Sequence, residues 1–254
     1  MKSPKLTLVG AGPGDPELIT LKGIRVLQDA DVVLYDALAN PVLLEHTSPW
    51  ARKIFVGKRK EQHALSQEEI NTLITSLAFK YGHVVRLKGG DPFLFGRGME
   101  EIEVARALGI EVEYVPGISS AIAVPGLAGI PLTHRNLSRS AWIVSGTSAT
   151  GEITNDLRHA ARSEATVVVL MGVGALDEIV RVFTSENKEN TPVAVIQNGS
   201  LETQRVAVGT ISTIAGALAQ AQLGTPAIIV IGNVVKFYTG QEEAVKGNEQ
   251  GRLQ

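Results

Sequence analysis

Short runs rich in Val and Ile alternate with longer amphipathic segments along most of the chain. The first two runs, LTLVG and DVVLYD, are separated by LITLKGIRVLQDA, and the alternation continues to EVEYV, which ends at Val115. Since strand, helix and strand in succession build parallel sheets, this order predicts an α/β fold with five strands up to that residue. Helix signals agree, because Ser66 and Glu69 form an S-x-x-E capping box and Gly109 follows MEEIEVARAL as a terminator.

The second half of the chain carries its own series of strand-like runs, from AWIVSG to PAIIVIGNVV. Before it, residues 116–140 contain three prolines among small residues, which predicts a connection with one broken helix. QRVAVGT follows PVAVIQNG too closely for a parallel crossover, so antiparallel pairing is expected there. We predict two α/β domains with a cleft between them: 1–116 with a mainly parallel sheet, a linker over 117–139, 140–240 with a mixed sheet, and a frayed tail over 241–254.

Charge and composition exclude several kinds of function. A net charge of -2 provides no long-range field for nucleic acid, and no apolar run reaches the roughly 18 residues of a membrane span. The absence of cysteine rules out disulfides and thiol chemistry. We expect a cytoplasmic protein that binds neither nucleic acid nor membrane, and no metal site, because the histidines lack ligand spacing. These are His46, His63, His83, His134 and His159.

The opening loop, LVGAGPGDP, has the look of a nucleotide-binding turn. A dinucleotide fingerprint needs a third glycine at position 15, but Asp15 stands there and would repel a pyrophosphate. Asp15 as a helix N-cap with Pro16 after it predicts a tight turn from strand to helix instead. Asp36, which ends the second predicted strand, would also suit a ribose-binding acid. A dinucleotide-dependent oxidoreductase therefore stays as an alternative. A non-catalytic ligand-binding module is a separate one.

The stretch VVRLKGGDPFLFGRGMEEIEVA contains the strongest ligand-site signal. A strand ends at Leu87, Gly89 and Gly90 let the backbone approach a ligand closely, and Asp91-Pro92 makes a turn before the next helix. Parallel sheets bind ligands at the carboxyl ends of their strands, where this loop would meet VGAGPGDP, LYD and FVGKRK. The sequence therefore predicts a ligand site at this edge.

These motifs, with PGISSA, AGIPLTHR, LMG, TPVAVIQNGS and QRVAVGT in the same order, resemble the tetrapyrrole (corrin/porphyrin) methylases from residue 5 to about 237. The chain departs from the family pattern at Met99, at Pro125-Gly126 and in VSGTSATGE, which affects the expected shape of the trough. The dehydrogenase and chelatase domain fused to some family members is not expected here.

The resemblance implies a two-domain fold with S-adenosylmethionine held between the domains, a homodimer, and S-adenosylhomocysteine as product. It implies a C-methyltransferase that methylates uroporphyrinogen III twice to give precorrin-2, in sirohaem or cobalamin biosynthesis. A sibling precorrin methyltransferase is the alternative. The opening loop would then shape the active-site trough rather than cradle a phosphate.

The same resemblance assigns roles residue by residue. Asp36 and Lys58 are the acid-base candidates, and Arg97, Glu100 and Arg135 handle the polycarboxylate substrate, with Arg97 and Glu100 also counted as catalytic. The basic groups available at strand ends and in loops are Lys58, Arg59, Lys60, Arg97, Arg135 and Arg139. Met171 is either a cofactor contact or a core methionine at a strand end. The expected cofactor contacts are Pro13, Gly89, Gly90, Asp91, Leu94, Ser119, Ser120, Met171 and Gly199.

Overall fold

The structure, a computed structural model, describes residues 2–57, 65–146 and 153–239. The chain divides into two compact units, Met1–Ser119 and Ser120–Gln254, and each has its own five-stranded sheet. Lys58, Arg59, Lys60 and His63 lie outside the described residues, as do most of VSGTSATGE and the tail over 241–254. No helix within the described part of the chain is long and apolar enough to cross a membrane.

The first unit contains the predicted parallel sheet, with strand order β3-β2-β4-β1-β5. The prediction of five strands up to Val115 is confirmed. Apolar side chains are buried on both faces of the sheet, which is typical of a parallel sheet covered by helices on each side. The strands are β1 Lys5–Gly10, β2 Val32–Tyr35, β3 Arg52–Phe55, β4 His83–Lys88 and β5 Glu111–Val115, and the helices are α1 Leu21–Gln28, α2 Gln67–Tyr81 and α3 Gly98–Ala107.

Helix ends in this unit follow the capping signals of the sequence, with one shift. Ser66 and Glu69 form the full capping box of α2, with Glu69 N 3.2 Å from Ser66 Oγ and Ser66 N 2.7 Å from Glu69 Oε2. Asp15 caps only a single 3-10 turn, Pro16–Leu18. The main helix α1 begins at Leu21 and is capped by Thr20, whose hydroxyl accepts from Gly23 N at 3.0 Å.

The second unit has a mixed sheet with strand order β6-β7-β10-β8-β9. β6 and β7 pair in parallel, β10 pairs antiparallel with both β7 and β8, and β8 and β9 form the predicted antiparallel pair. One helix, α4 Ser120–Leu127, lies in the proline-rich connection and runs through Pro125. The strands are β6 Ala141–Ser145, β7 Thr166–Leu170, β8 Pro192–Gln197, β9 Arg205–Thr210 and β10 Ala227–Ile231, and the other helices are α5 Asn155–Arg162, α6 Leu176–Ser185 and α7 Ile214–Ala221.

Candidate functional site

The loops that follow β1, β4 and β5 meet backbone to backbone at glycines. Gly12 donates its amide to the Gly90 carbonyl at 3.3 Å, and Gly90 donates to the Gly12 carbonyl at 2.7 Å. A Cβ placed on Gly10 would lie 2.4 Å from Gly117 Cα, and one on Gly117 would lie 2.2 Å from the Gly90 oxygen. Only residues without side chains fit such an approach, so these glycines join three loops at the carboxyl edge of the sheet.

Amides of the opening loop are used inside the protein. Besides Gly12, Glu17 donates its amide to Asp15 Oδ1 at 2.9 Å and Leu18 donates to the Asp15 carbonyl at 3.1 Å. A dinucleotide cradle requires amides aimed at the pyrophosphate from the start of a helix. The geometry therefore favours a packing role for GAGPGDP and disfavours a dinucleotide-dependent oxidoreductase.

Asp91 ties the loop after β4 to the end of β5. Its Oδ1 accepts from Phe93 N at 2.8 Å, and its Oδ2 accepts from the Tyr114 hydroxyl at 2.6 Å and from Gly117 N at 3.0 Å. The Phe93 and Tyr114 rings stack with centroids 4.0 Å apart. Burial, with the Asp91 hydrogen bond and charge added, raises the pKa of Tyr114 to about 12. Both Asp91 oxygens thus already accept hydrogen bonds from the protein, whereas its contact with a cofactor stays a prediction.

Asp36 lies directly after β2, where its carboxylate is partly exposed and ion-paired. Its Oδ1 accepts from Leu38 N at 3.1 Å, and its Oδ2 lies 3.0 Å from Arg86 Nη2. The Asp36 side chain is 24% exposed, whereas that of Arg86 is 4% exposed. Arg86 lies on β4, the central strand, and was not among the residues singled out from the sequence. The signal available was the presence of two cations, Arg86 and Lys88, in the otherwise apolar run VVRLK.

Arg86 belongs to a buried ionic network centred on Glu101 of α3. Glu101 Oε1 lies 2.7 Å from Lys88 Nζ, 3.4 Å from Arg86 Nε and 3.2 Å from Gln67 Nε2. The Glu101 side chain has no exposed surface, and its Oε2 has no hydrogen-bond partner within the described part of the chain. Burial, together with the nearby Arg86 charge, lowers the pKa of Lys88, although Glu101 opposes that shift. Gln67, Lys88 and Glu101 were also missed by the sequence analysis.

Arg97 and Glu100, both predicted to handle substrate, pair with each other. Arg97 Nε lies 2.8 Å from Glu100 Oε1 and Arg97 Nη2 lies 2.6 Å from Glu100 Oε2, and both side chains are about half exposed. The Arg97 hydrogen bond lowers the pKa of Glu100, and the Glu100 carboxylate raises that of Arg97. This two-point pairing fixes the plane of the guanidinium in the loop before α3.

Several non-glycine residues beside the predicted cofactor positions adopt left-handed backbone conformations. The φ angles are 55° at Phe95, 56° at Arg97, 55° at Met171, 50° at Asn198 and 70° at Ser200. Positive φ is uncommon outside glycine, and such residues concentrate at ligand-binding sites. This feature supports the predicted loops as functional, and the residue types alone gave no sign of it.

The predicted cofactor residues of the second unit lie at the ends of strands and at the start of α4. Met171 follows β7 and is 56% exposed, so it is not the core methionine that the alternative interpretation required. Gly199 lies after β8, where a Cβ would come within 2.2 Å of Val124 Cγ1 on α4. Ser120 is the first residue of α4 and Ser119 precedes it.

The other predicted cofactor residues lie in the loops of the first unit. A Cβ on Gly89 would lie 2.5 Å from Leu38 Cβ, so Gly89 lets the loop that carries Asp36 approach β4. Pro13 and Leu94 are half-buried in the loops after β1 and β4.

Arg135 lies in the turn between α4 and β6, beside an open depression of about 460 Å³. The turn is closed by His134 and Ser138, whose backbones pair. Two guanidinium groups on one depression suit an anionic ligand. The lining residues are Thr133, His134, Arg135, Ser138 and Arg139. Across the described ranges, no group of three or more His, Asp or Glu side chains is arranged to hold a metal ion.

Comparisons with known proteins agree with this architecture. The uroporphyrinogen-III C-methyltransferase of Methanocaldococcus jannaschii is 44% identical over 239 residues, which cover 93% of this chain and 99% of that protein. The siroheme synthase of Psychrobacter cryohalolentis is also 44% identical, over 91% of this chain but 44% of its own length. The chain thus spans about half the length of the siroheme synthases it matches.

A solved structure extends the comparison to three dimensions. The uroporphyrin-III C-methyl transferase of Thermus thermophilus, complexed with S-adenyl homocysteine, has a TM-score of 0.78 and 39% identity, covering 91% of this chain and 99% of that one. The model of the family described as Tetrapyrrole (Corrin/Porphyrin) Methylases matches residues 5–215. Since that match takes in the sheet of the first unit and most of the second, the chain belongs to the tetrapyrrole methylases.

Proposed function

We propose that the protein is an S-adenosylmethionine-dependent C-methyltransferase that methylates uroporphyrinogen III twice to give precorrin-2. One observation carries the proposal: the near end-to-end correspondence with the Methanocaldococcus jannaschii uroporphyrinogen-III C-methyltransferase, at 44% identity. The Thermus thermophilus relative, whose complex contains S-adenyl homocysteine, supports the choice of methyl donor.

The residues assigned to the cofactor suit its chemistry. S-adenosylmethionine supplies an electrophilic methyl group on a sulfonium cation. The assigned residues are glycines, hydroxyl and apolar side chains and the Asp91 carboxylate, with no cation among them. Such a set avoids placing a like charge beside the sulfonium. The Met171 side chain, which is 56% exposed, leaves surface for a ligand to contact.

Asp36 is the group we assign to the reacting centre. A pyrrole carbon that forms a bond to the methyl carbon leaves positive charge on the ring nitrogen. The Asp36 carboxylate, partly exposed at the end of β2, would stabilise that charge and accept the proton that leaves the ring. Lys58, outside the described residues, is kept as a second acid-base candidate.

The basic residues are assigned to substrate binding. Arg97 is held in one plane by Glu100, and Arg135 lies on the depression between α4 and β6. Guanidinium groups bind carboxylates at two points, which suits a polycarboxylate substrate. The net charge of -2 means that attraction for this substrate must come from such local groups.

The assignment is tested by incubating the protein with methyl-labelled S-adenosylmethionine and uroporphyrinogen III under anaerobic conditions. Two labelled methyl groups on the tetrapyrrole, seen by mass analysis, are expected. No transfer to uroporphyrinogen III, with transfer to an already methylated precorrin, would favour a sibling methyltransferase instead.

We also infer a homodimer in the cytoplasm, working in sirohaem or cobalamin biosynthesis without nucleic acid or membrane. Membership of the tetrapyrrole methylase family supports the dimer and the pathway. The near-neutral charge supports a protein that does not bind nucleic acid. Light scattering after size exclusion should give twice the mass of one chain, and a single-chain mass at micromolar concentration would contradict the dimer.

A further inference from the structure

The central strand of the first unit contains two charged side chains where apolar ones would be expected. Arg86 and Lys88 alternate with Val85 and Leu87 on β4, and all four are buried. Moving a charge out of water is costly, and proteins with well-packed apolar residues in place of a buried ion pair are often as stable or more stable. Stability alone therefore does not account for this pair of cations.

These cations belong to a connected series of ion pairs that extends from the interior to the surface. Lys88 binds Glu101, Glu101 binds Arg86, and Arg86 binds Asp36. The side chains of the first three are 7%, 0% and 4% exposed, whereas that of Asp36 is 24% exposed. The chain of ion pairs thus reaches solvent at the Asp36 carboxylate.

The geometry of Arg86 leaves its guanidinium little freedom. Nε faces Glu101 Oε1, Nη1 donates to the Leu87 carbonyl at 3.0 Å, and Nη2 faces Asp36 Oδ2. Three donors of one planar group are therefore directed to three separate acceptors. Because Nε and Nη1 hold the guanidinium in place, Nη2 fixes the position of Asp36 Oδ2.

The backbone holds the other Asp36 oxygen. Oδ1 accepts from Leu38 N, and Leu38 in turn packs where Gly89 has no side chain. With one oxygen held by the backbone and the other by Arg86, the carboxylate has a single orientation. These contacts would position a catalytic carboxylate, and Arg86 is too deeply buried to be assigned to substrate binding.

We propose that Arg86, held by the Glu101 carboxylate that also binds Lys88, is a positioning residue that orients the Asp36 carboxylate for catalysis. This inference rests on the proposed function for its kinetic consequence. Because the Arg86 side chain is only 4% exposed, its removal should lower kcat and leave the KM for uroporphyrinogen III within about twofold of the wild-type value.

A double-mutant cycle between Arg86→Met and Asp36→Asn tests the proposal. We expect Arg86→Met to lower kcat by about 10-fold to 100-fold, as loss of an orienting group commonly does. In the Asp36→Asn background the same change should lower kcat by less than about threefold, because the group it orients is already lost. Multiplicative effects on kcat would overturn the proposal, because they would mean that Arg86 acts independently of Asp36.

Two further variants separate positioning from general damage to the fold. Arg86→Lys keeps the charge but cannot direct three donors to these acceptors, so kcat should lie between those of the wild type and Arg86→Met. Arg162→Met removes an exposed arginine that pairs with Glu186 at 2.9 Å, and should leave kcat unchanged. A wild-type kcat for Arg86→Met would also overturn the proposal.

A crystal structure of Arg86→Met gives a readout that does not depend on activity. The Asp36 carboxylate should leave its position or show more than one conformer. If wild-type protein fails to methylate uroporphyrinogen III, the proposed function fails, but this structure still decides the positioning role. An Asp36 carboxylate that keeps one unchanged position without Arg86 would contradict the inference. If Arg86→Met does not fold, the structure and kcat of Arg86→Lys decide by the same criteria.

Discussion

At the scale of single residues, Asp91 connects the loop after β4 to the end of β5, although its position is predicted to bind the cofactor. Its carboxylate accepts from two amides and from the Tyr114 hydroxyl. The sequence showed an Asp-Pro turn beside two glycines, and the prediction of a ligand site was based on that pattern. It could not show that the acid would reach β5, because Tyr114 lies 23 residues away along the chain.

We expect Asp91→Ala to lower the free energy of unfolding by about 1.5–3 kcal/mol, since donors lose a charged acceptor. It should also weaken S-adenosylmethionine binding. The pKa of Tyr114 should fall from about 12 but stay above 10, because burial is the larger cause of its shift. Denaturant unfolding, ultraviolet titration and calorimetry measure these quantities. Tyr114→Phe, which keeps the carboxylate, is the control, and unchanged cofactor affinity in folded Asp91→Ala would remove Asp91 from the cofactor site.

His83 gives a pH-dependent prediction. Its Nε2 lies 2.9 Å from Thr7 Oγ1 and its Nδ1 lies 3.2 Å from the Asp29 carbonyl, and burial lowers its pKa below the usual 6.5. Between the two pKa values the unfolded chain binds more protons, so stability should decrease as pH falls below 6.5. The slope from one such group is at most about 1.4 kcal/mol per pH unit.

Thermal unfolding of wild type and His83→Gln across this pH range provides the measurement. The difference between their curves should shrink as pH falls, because the wild type alone loses the contribution of a neutral buried histidine. A difference that is constant with pH would show that His83 does not titrate in this way.

At the scale of elements, a loop and a helix come into close contact where a glycine replaces a larger residue. The loop after β8 touches α4 only because Gly199 has no Cβ that would collide with Val124. The sequence predicted the strand and a helix in the connection, since both have local signals. It could not predict their contact, because residues 124 and 199 are far apart along the chain.

We expect Gly199→Ala to cost about 1–3 kcal/mol of unfolding free energy through overpacking against Val124. Adding Val124→Ala should recover part of this cost, so the double variant should lose less than the sum of the single losses. Gly126→Ala on the same helix is the control, because no atom lies within 4 Å of the added Cβ. Strictly additive losses would show that the predicted collision is relieved elsewhere.

At the scale of the whole molecule, the charge balance is nearly neutral although the proposed substrate is a polyanion. The net charge is -2, and the predicted substrate-binding arginines lie in loops of both units. Attraction for the substrate should therefore depend on a few arginines and weaken as salt screens them.

Arg135→Ala should raise the KM for uroporphyrinogen III about 10-fold or more, while the KM for S-adenosylmethionine changes little. The dependence of the uroporphyrinogen KM on ionic strength should also become weaker. Steady-state kinetics at several salt concentrations measure both effects. Arg181→Ala, which removes an arginine paired with Glu178 on α6, should change neither KM. Equal shifts of both KM values in Arg135→Ala would place that residue outside the substrate site.

By itself, the sequence determined the order of strands and helices, the capping box of α2, the antiparallel pair β8-β9 and the family motifs, because each depends on neighbouring residues. Tertiary structure alone decided which distant groups meet. Arg86 and Asp36 are 50 residues apart, and their ion pair exists because β2 and β4 are adjacent in the sheet. The approach of Gly10 to Gly117 likewise depends on the pairing of β1 with β5. Local periodicity carries no information on such pairings, since they follow from how the whole chain buries its apolar surface.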